Sequence, residues 1–439
     1  MKNRDAPVSM PTRRDNREKG ASVAASKEGR LFSREFLSLC LVLVAAFCNV
    51  SVFYSFYHYL GAIGIPVAWR GFLVGLEPMA AFALRLCVLP WLHVRNALSV
   101  LTASLILLFL VSLSYLGVTT VPALLFLRVV HGAAFVLITA SAIALVVFFI
   151  PGDKSGQGFS AVSIATMIPY AVIPSLSEAL LPHARNEADI YAGVSVFALA
   201  AILLLSALRG RIGKALQGAN GILMRRLTLD EIRKNYRLPA VVRLLSAVFL
   251  VYLAHATVFY FLKDLALQIR AGDVGLFFTL SMAAMIAVRA FGAAYLDRID
   301  KWTGLQKALA LLVPCLILLP HAAFPGSHPL LAVVYGGCMG ILLPLLNALL
   351  FTASPPPLRG LNANMTLFAM DAAYFLLPYL GGTLIALGTS FGALFVLAAA
   401  FVLLGLLATM PLARRKREER GTGDARERKK SRIRGPRAL

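Results

Sequence analysis

Twelve apolar stretches, each about twenty residues long, leave this chain few ways to fold. They run 35–61, 69–91, 97–117, 121–150, 157–182, 189–209, 241–265, 273–296, 305–323, 329–352, 361–387 and 390–411. A helix rises about 1.5 Å per residue, so each stretch crosses a bilayer core about 30 Å thick. No water reaches a bare amide in that core, which leaves helices and closed barrels as the spanning structures. Barrel strands are about ten residues long and alternate in polarity. The run "LTASLILLFLVSLSYLG" (101–117) does neither. With 59% of its 439 residues hydrophobic, the chain is expected to be an all-α membrane protein with twelve transmembrane helices.

A net charge of +22 suggests nucleic-acid binding until the charges are placed. With the N-terminus in the cytoplasm, 36 of the 43 Lys and Arg residues fall on that side. They concentrate in the N-terminal tail, in residues 209–243 and in the C-terminal tail. Only Arg70, Arg185, Lys263 and Arg270 fall on the other side, and Arg85, Arg128 and Arg289 lie within helices. This is the positive-inside asymmetry of an inner-membrane protein with both termini cytoplasmic. It accounts for the basicity without nucleic acid. The polar residues before the first stretch do not read as a secretory signal.

The expected domains are a disordered tail (1–34), a six-helix bundle (35–209), a cytoplasmic linker (210–240), a second bundle (241–411) and a disordered basic tail (412–439). In the linker, Thr228 and Glu231 have capping-box spacing, which predicts a short interfacial helix. The five cysteines lie in apolar helices as packing residues. No metal-ligand spacing, P-loop lysine motif or G-x-S-x-G elbow occurs, so neither a cofactor nor an enzyme is expected.

The two bundles repeat at an offset of 204 residues. It places Gly71 on Gly275, Arg85 on Arg289, His131-Gly132 on Tyr335-Gly336, Tyr170 on Tyr374 and Pro174 on Pro378. One register across several helices predicts two pseudo-symmetric halves. Parallel repeats of this kind mark secondary transporters that hold substrate between the halves.

The residues now resemble a family. "RAFGAAYLDRIDK" (289–301) is similar to the loop 8–9 copy of motif A in the major facilitator superfamily, with Arg289, Asp297, Arg298 and Lys301 on its charged positions and Ala293 replacing the usual glycine. Its counterpart "RLCVLPWLHVRNA" keeps Arg85 but has His93 where the acid belongs. "RVVHG" resembles the helix-4 motif R-x-x-Q-G, and "YGGCMGILLPLLNALL" looks like helix 10. The resemblance covers 35–411. It implies a cavity lined by helices 1, 4, 7 and 10, with helix 2 beside helix 11. It makes Arg85, His93, Arg289, Asp297, Arg298 and Lys301 a cytoplasmic gate.

Ionisable groups inside a bilayer usually face a partner or a wet cavity. The repeat leaves Glu77, Asp371 and Arg128 unmatched, their mates being Ser281, Met167 and Ala332. Glu77 and Asp371 are candidate proton carriers, with Arg128 and His131 tuning them. A static Glu77–Arg128 pair and pure substrate recognition are the alternatives. Asn49, Tyr54, His255, Tyr335 and Asn347 are candidate substrate contacts. Tyr57, His58 and Tyr59 read as an interfacial belt, and Glu178 as a solvated residue near a helix end. The expected activity is proton-coupled efflux of a small organic solute by a monomer. The expected partners are that small-molecule substrate, protons and the lipid bilayer. Alternatives are an uptake carrier for an organic anion anchored by Arg128, a sensor or enzyme on a transporter-like scaffold, and a channel.

Overall fold

The first helix starts where Ser33 accepts a hydrogen bond from the Phe36 amide at 3.2 Å, occupying one of the N–H groups that a helix start leaves bare. The computed structural model describes residues 32–88, 92, 94–150, 155–216, 233, 235, 237–271, 273–292, 300–322, 327–355 and 358–433. His93, Asp297, Arg298 and the Thr228–Glu231 pair lie outside the described residues.

Helix α1 (Arg34–Ala62) is broken by a 3-10 turn at Val52–Ser55. The other spans are α2 (Val67–Val88), α3 (Val94–Ser114), α4 (Val121–Phe148), α5 (Ser155–Leu180), α6 (Glu187–Leu216), α7 (Pro239–Ile269), α8 (Val274–Phe291), α9 (Lys301–Leu318), α10 (Ser327–Ala353), α11 (Arg359–Ala386) and α12 (Phe391–Ile433). Among the described residues, twelve helices are long and apolar enough to cross a membrane. Their outward residues are large and apolar, including Phe126, Leu203, Leu330 and Leu404, as a surface bathed in lipid requires.

Two expectations need correction. The tail from residue 412 was expected to be disordered, yet α12 continues as helix to Ile433. The segment is rich in Arg, Lys and Glu, which are strong helix formers, and it starts on a finished helical turn, so no new nucleus is needed. The linker was expected to begin at 210, and α6 instead runs to Leu216. Beyond it, Asn235 pairs with Asn362 of α11 through two amide hydrogen bonds of 2.6 and 3.0 Å, docking the connection onto the second half.

The packing repeats. In the first half α1 packs on α4, α5 and α6, while α3 packs on α4 and α6, and α2 on α4. In the second, α7 packs on α10, α11 and α12, while α9 packs on α10 and α12, and α8 on α10. Each contact is the other shifted by six helices. The halves meet mainly through α2 against α11 and α5 against α8, which are also mates. Glycines set the closest crossings. A Cβ on Gly132 would lie 2.3 Å from the Glu77 carbonyl oxygen, and one on Gly336 would lie 2.0 Å from that of Ser281. Gly132 and Gly336 are repeat mates, and so are Glu77 and Ser281.

The start of α1, the end of α6 and the start of α7 define the terminal face, since successive spans alternate in direction; the opposite one is the far face.

Candidate functional site

Pro78 lies inside α2 and has no N–H, so the Val74 carbonyl loses its helical donor. Arg128 of α4 fills that gap. Its Nη2 donates to the Val74 carbonyl at 2.9 Å and to Glu77 Oε2 at 3.3 Å, while Nε donates to the Leu73 carbonyl at 3.1 Å. The Phe56 ring lies 4.5 Å from the guanidinium carbon, a cation–π contact. Arg128 is fully buried, and all these partners belong to the first half. His131 is buried one turn on, beside the Tyr115 hydroxyl at 3.3 Å. Glu77, Arg128 and His131 therefore form one sealed cluster within a single bundle.

Asp371 sits elsewhere. Its Oδ2 accepts from Arg85 Nε at 2.7 Å, a buried ion pair between α2 and α11 that joins the two halves. At the symmetry-related place, Arg289 of α8 meets α5, where the mate of Asp371 is Met167. Arg289 Nη1 donates to the Ser163 hydroxyl, and its buried Nε has no partner among the described residues.

The far face carries a charge network that crosses between the halves. Lys263 of α7 lies 3.0 Å from Glu178 of α5 and 3.8 Å from Glu187 of α6. His58 of α1 lies 3.2 Å from Asp264 of α7. The Tyr54 hydroxyl donates to Glu178, and the Ser175 and Thr279 hydroxyls are 2.7 Å apart between α5 and α8. Tyr57 packs edge-on against Phe261 and Phe391 of the second half. Glu178 is thus a bridge rather than a solvated end residue. Tyr57 and Tyr59 are buried rather than belt residues. Lys263, Glu187 and Asp264 were not singled out in the sequence. The signal they left was their charge within the last turns of α7 and the first turn of α6.

A cavity of about 560 Å³ lies between the halves on the terminal-face side, lined by Ser160 and Ser163 of α5, Tyr252 of α7, Arg289, Lys301 and Asn347 of α10. Deeper between the halves, Tyr170, Phe259, Tyr260 and Tyr374 pack together with neighbouring ring centroids 4.8–5.9 Å apart. This cluster spans α5, α7 and α11.

Of the residues expected to touch substrate, Asn347 lines this cavity. His255 and Tyr335 hydrogen-bond to each other, and Tyr335 is buried. Asn49 and Tyr54 lie away from this cavity. Asn49 is buried against the Ala45 carbonyl at 3.0 Å and Ser112 at 3.4 Å, because its amide turns back along its own helix. Tyr54 is buried in the far-face network.

A profile of the Major Facilitator Superfamily matches residues 39–370 and, again, 244–439. The chain belongs to the Major Facilitator Superfamily. Among solved structures it is similar to the nucleoside transporter NupG, at 13% identity over 86% of this chain and 99% of that one, with a TM-score of 0.68. The peptide transporter POT in complex with sulfate gives 15% identity over 90% and 98%, with a TM-score of 0.68. The human organic anion transporter MFSD10 gives 17% identity over 86% and 99%, with a TM-score of 0.57. These superfamily members share the fold. Comparison with curated protein sequences gives no match. As a superfamily member, the chain is a multi-pass membrane protein that carries out secondary transport of a solute.

Proposed function

We propose that this protein couples proton movement to export of a small organic solute across the inner membrane, as a monomer with both termini cytoplasmic. The observation that carries the coupling is the Arg85–Asp371 pair, which is buried and shared between the halves. Rocking of the halves about a central site changes the contacts across α2 and α11. Protonation of Asp371 leaves Arg85 buried with an uncompensated charge, which a closed interface tolerates poorly. Proton binding therefore biases the equilibrium between the two access states.

Glu77 is assigned a different part. Its hydrogen bond to Arg128 stays within the first bundle, so rocking leaves that bond in place while the α11 face beside it shifts. The far-face network is the gate that parts when the cavity opens to the other side. Export is the direction suggested by general resemblance to efflux members of the superfamily, and the 36 basic residues on one side of the chain support cytoplasmic termini.

Proteoliposomes with an imposed pH gradient test the coupling. Asp371→Asn is expected to lose uphill transport while keeping counterflow. Uphill transport by that variant removes Asp371 from the mechanism. Inside-out vesicles decide direction. A protein without flux in either preparation is a sensor or enzyme on a transporter scaffold, and non-saturable flux without counterflow marks a channel.

A second reading, an uptake carrier for an organic anion, is favoured by the two cations lining the cavity, Arg289 and Lys301. Arg128, the anchor expected from the sequence, is sealed inside the first half and is replaced in that role.

A further inference from the structure

We infer that the terminal-face cavity selects a small organic anion, and that Arg289 is its anchor. The inference rests on the cavity being the transport path.

The repeat builds two equivalent arginines, one on α2 and one on α8, each facing the other half. Among the described residues, one is neutralised and the other is not. Arg85 has Asp371 at 2.7 Å. Among the described residues Arg289 has only the Ser163 hydroxyl, with Met167 standing where a carboxylate would complete the copy. Its Nε is buried and unpartnered among the described residues. A half-buried guanidinium with a buried, unpartnered Nε and no counter-charge among the described residues is costly. The cost persists in the empty protein and falls when an anion enters.

The rest of the lining agrees. Lys301 adds a second positive charge, and no carboxylate lines the cavity among the described residues. Asp300, next in the chain, is turned away from that task as the N-cap of α9. Its Oδ2 accepts from the Thr303 amide at 2.9 Å and the Thr303 hydroxyl at 2.8 Å. Ser160, Tyr252 and Asn347 offer neutral hydrogen bonds to the body of a solute. A planar fork beside a point charge suits a carboxylate or a phosphate ester, since guanidinium meets such oxygens in two parallel hydrogen bonds. The volume, about 560 Å³, is that of a small-molecule pocket.

Purified full-length protein is tested by thermal shift against matched probes: benzoate with benzamide, phenyl phosphate with phenyl glucoside, and sodium sulfate for ionic strength. At least one organic anion is expected to stabilise the protein, with its neutral partner and sulfate leaving it unmoved. Arg289→Gln is expected to abolish that shift. Asn347→Asp, at an exposed position that does not test folding, is expected to weaken anion binding at least tenfold by putting a negative charge in the cavity. Stabilisation by the neutral partners alone or by no organic anion overturns the proposal. So does an anion shift that survives both substitutions. Flux of neutral solutes only, in the proteoliposome assay, keeps the transport reading and overturns the anion. An anion shift without flux supports the site and overturns transport.

Discussion

Arg85 and Asp371, 286 residues apart in sequence, form a buried hydrogen-bonded ion pair of 2.7 Å across the boundary between the two halves. The repeat supplies its own control, because the mates of these residues are Arg289 and Met167 and form no such pair. A carboxylate at position 371 and a methionine at its mate, 167, make the boundary electrically lopsided.

Breaking that pair from one side strands the other charge, at a cost of roughly 3–5 kcal/mol. Arg85→Gln and Asp371→Asn are each expected to lower the thermal midpoint of the purified protein. The double variant, with neither charge left, is expected to recover a large part of the loss. A double variant whose loss equals the sum of the two single losses rules out a direct energetic coupling.

Glu77 and Asp371 are expected to separate in function although both are buried acids. Glu77→Gln weakens the seat of Arg128 and lowers stability, while pH-driven uphill transport per folded molecule persists. Arg128→Lys keeps the charge but gives up the fork that reaches two carbonyls and a carboxylate. It is expected to reduce the yield of folded protein in membranes, measured by size-exclusion chromatography. Loss of coupling in Glu77→Gln with intact stability assigns the proton to Glu77 instead.

Gly132→Ala and Gly336→Ala push a Cβ onto a carbonyl oxygen at 2.3 and 2.0 Å, and overpacking of this kind costs roughly 1–3 kcal/mol. Gly193 has nothing within 4 Å, so Gly193→Ala is expected to gain up to about 1 kcal/mol from helix propensity. Thermal denaturation of the three variants side by side checks the sign at each site.

Lys263→Gln removes the cation that ties Glu178 and Glu187 to α7. The far face is then expected to open more often, lengthening the distance between spin labels at Ala68 and Gln268 in pulsed resonance measurements. A distance distribution unchanged from the parent protein means that Tyr57, His58 and the α5–α8 hydroxyls hold the face without it.

Local pattern carried much of the architecture. Apolar length set the twelve spans, and the offset of 204 anticipated that Gly132 and Gly336 would occupy matching places. It also matched Gly75 with Thr279, which both approach α11 or α5 at mated carbonyls, those of Phe375 and Ala171. Partnership across the halves was not legible. Glu178 looks solvated because it stands near a helix end, and nothing in its neighbourhood announces Lys263, 85 positions on. Arg128 looks like a site residue because charge in a membrane is expensive. The proline that makes it structural lies fifty residues away in another helix. Polar residues on a cavity-lining helix also present several faces, and the sequence does not say which face Asn49 occupies.

The gap that Pro78 leaves in α2 has a bearing on biogenesis. While α2 is the newest helix in the bilayer, the Val74 carbonyl has no donor, because Arg128 has yet to be synthesised. A bare carbonyl in hydrocarbon costs several kcal/mol. Docking of α4 onto α2 therefore does more than bury side chains: it supplies the donor that the proline removed.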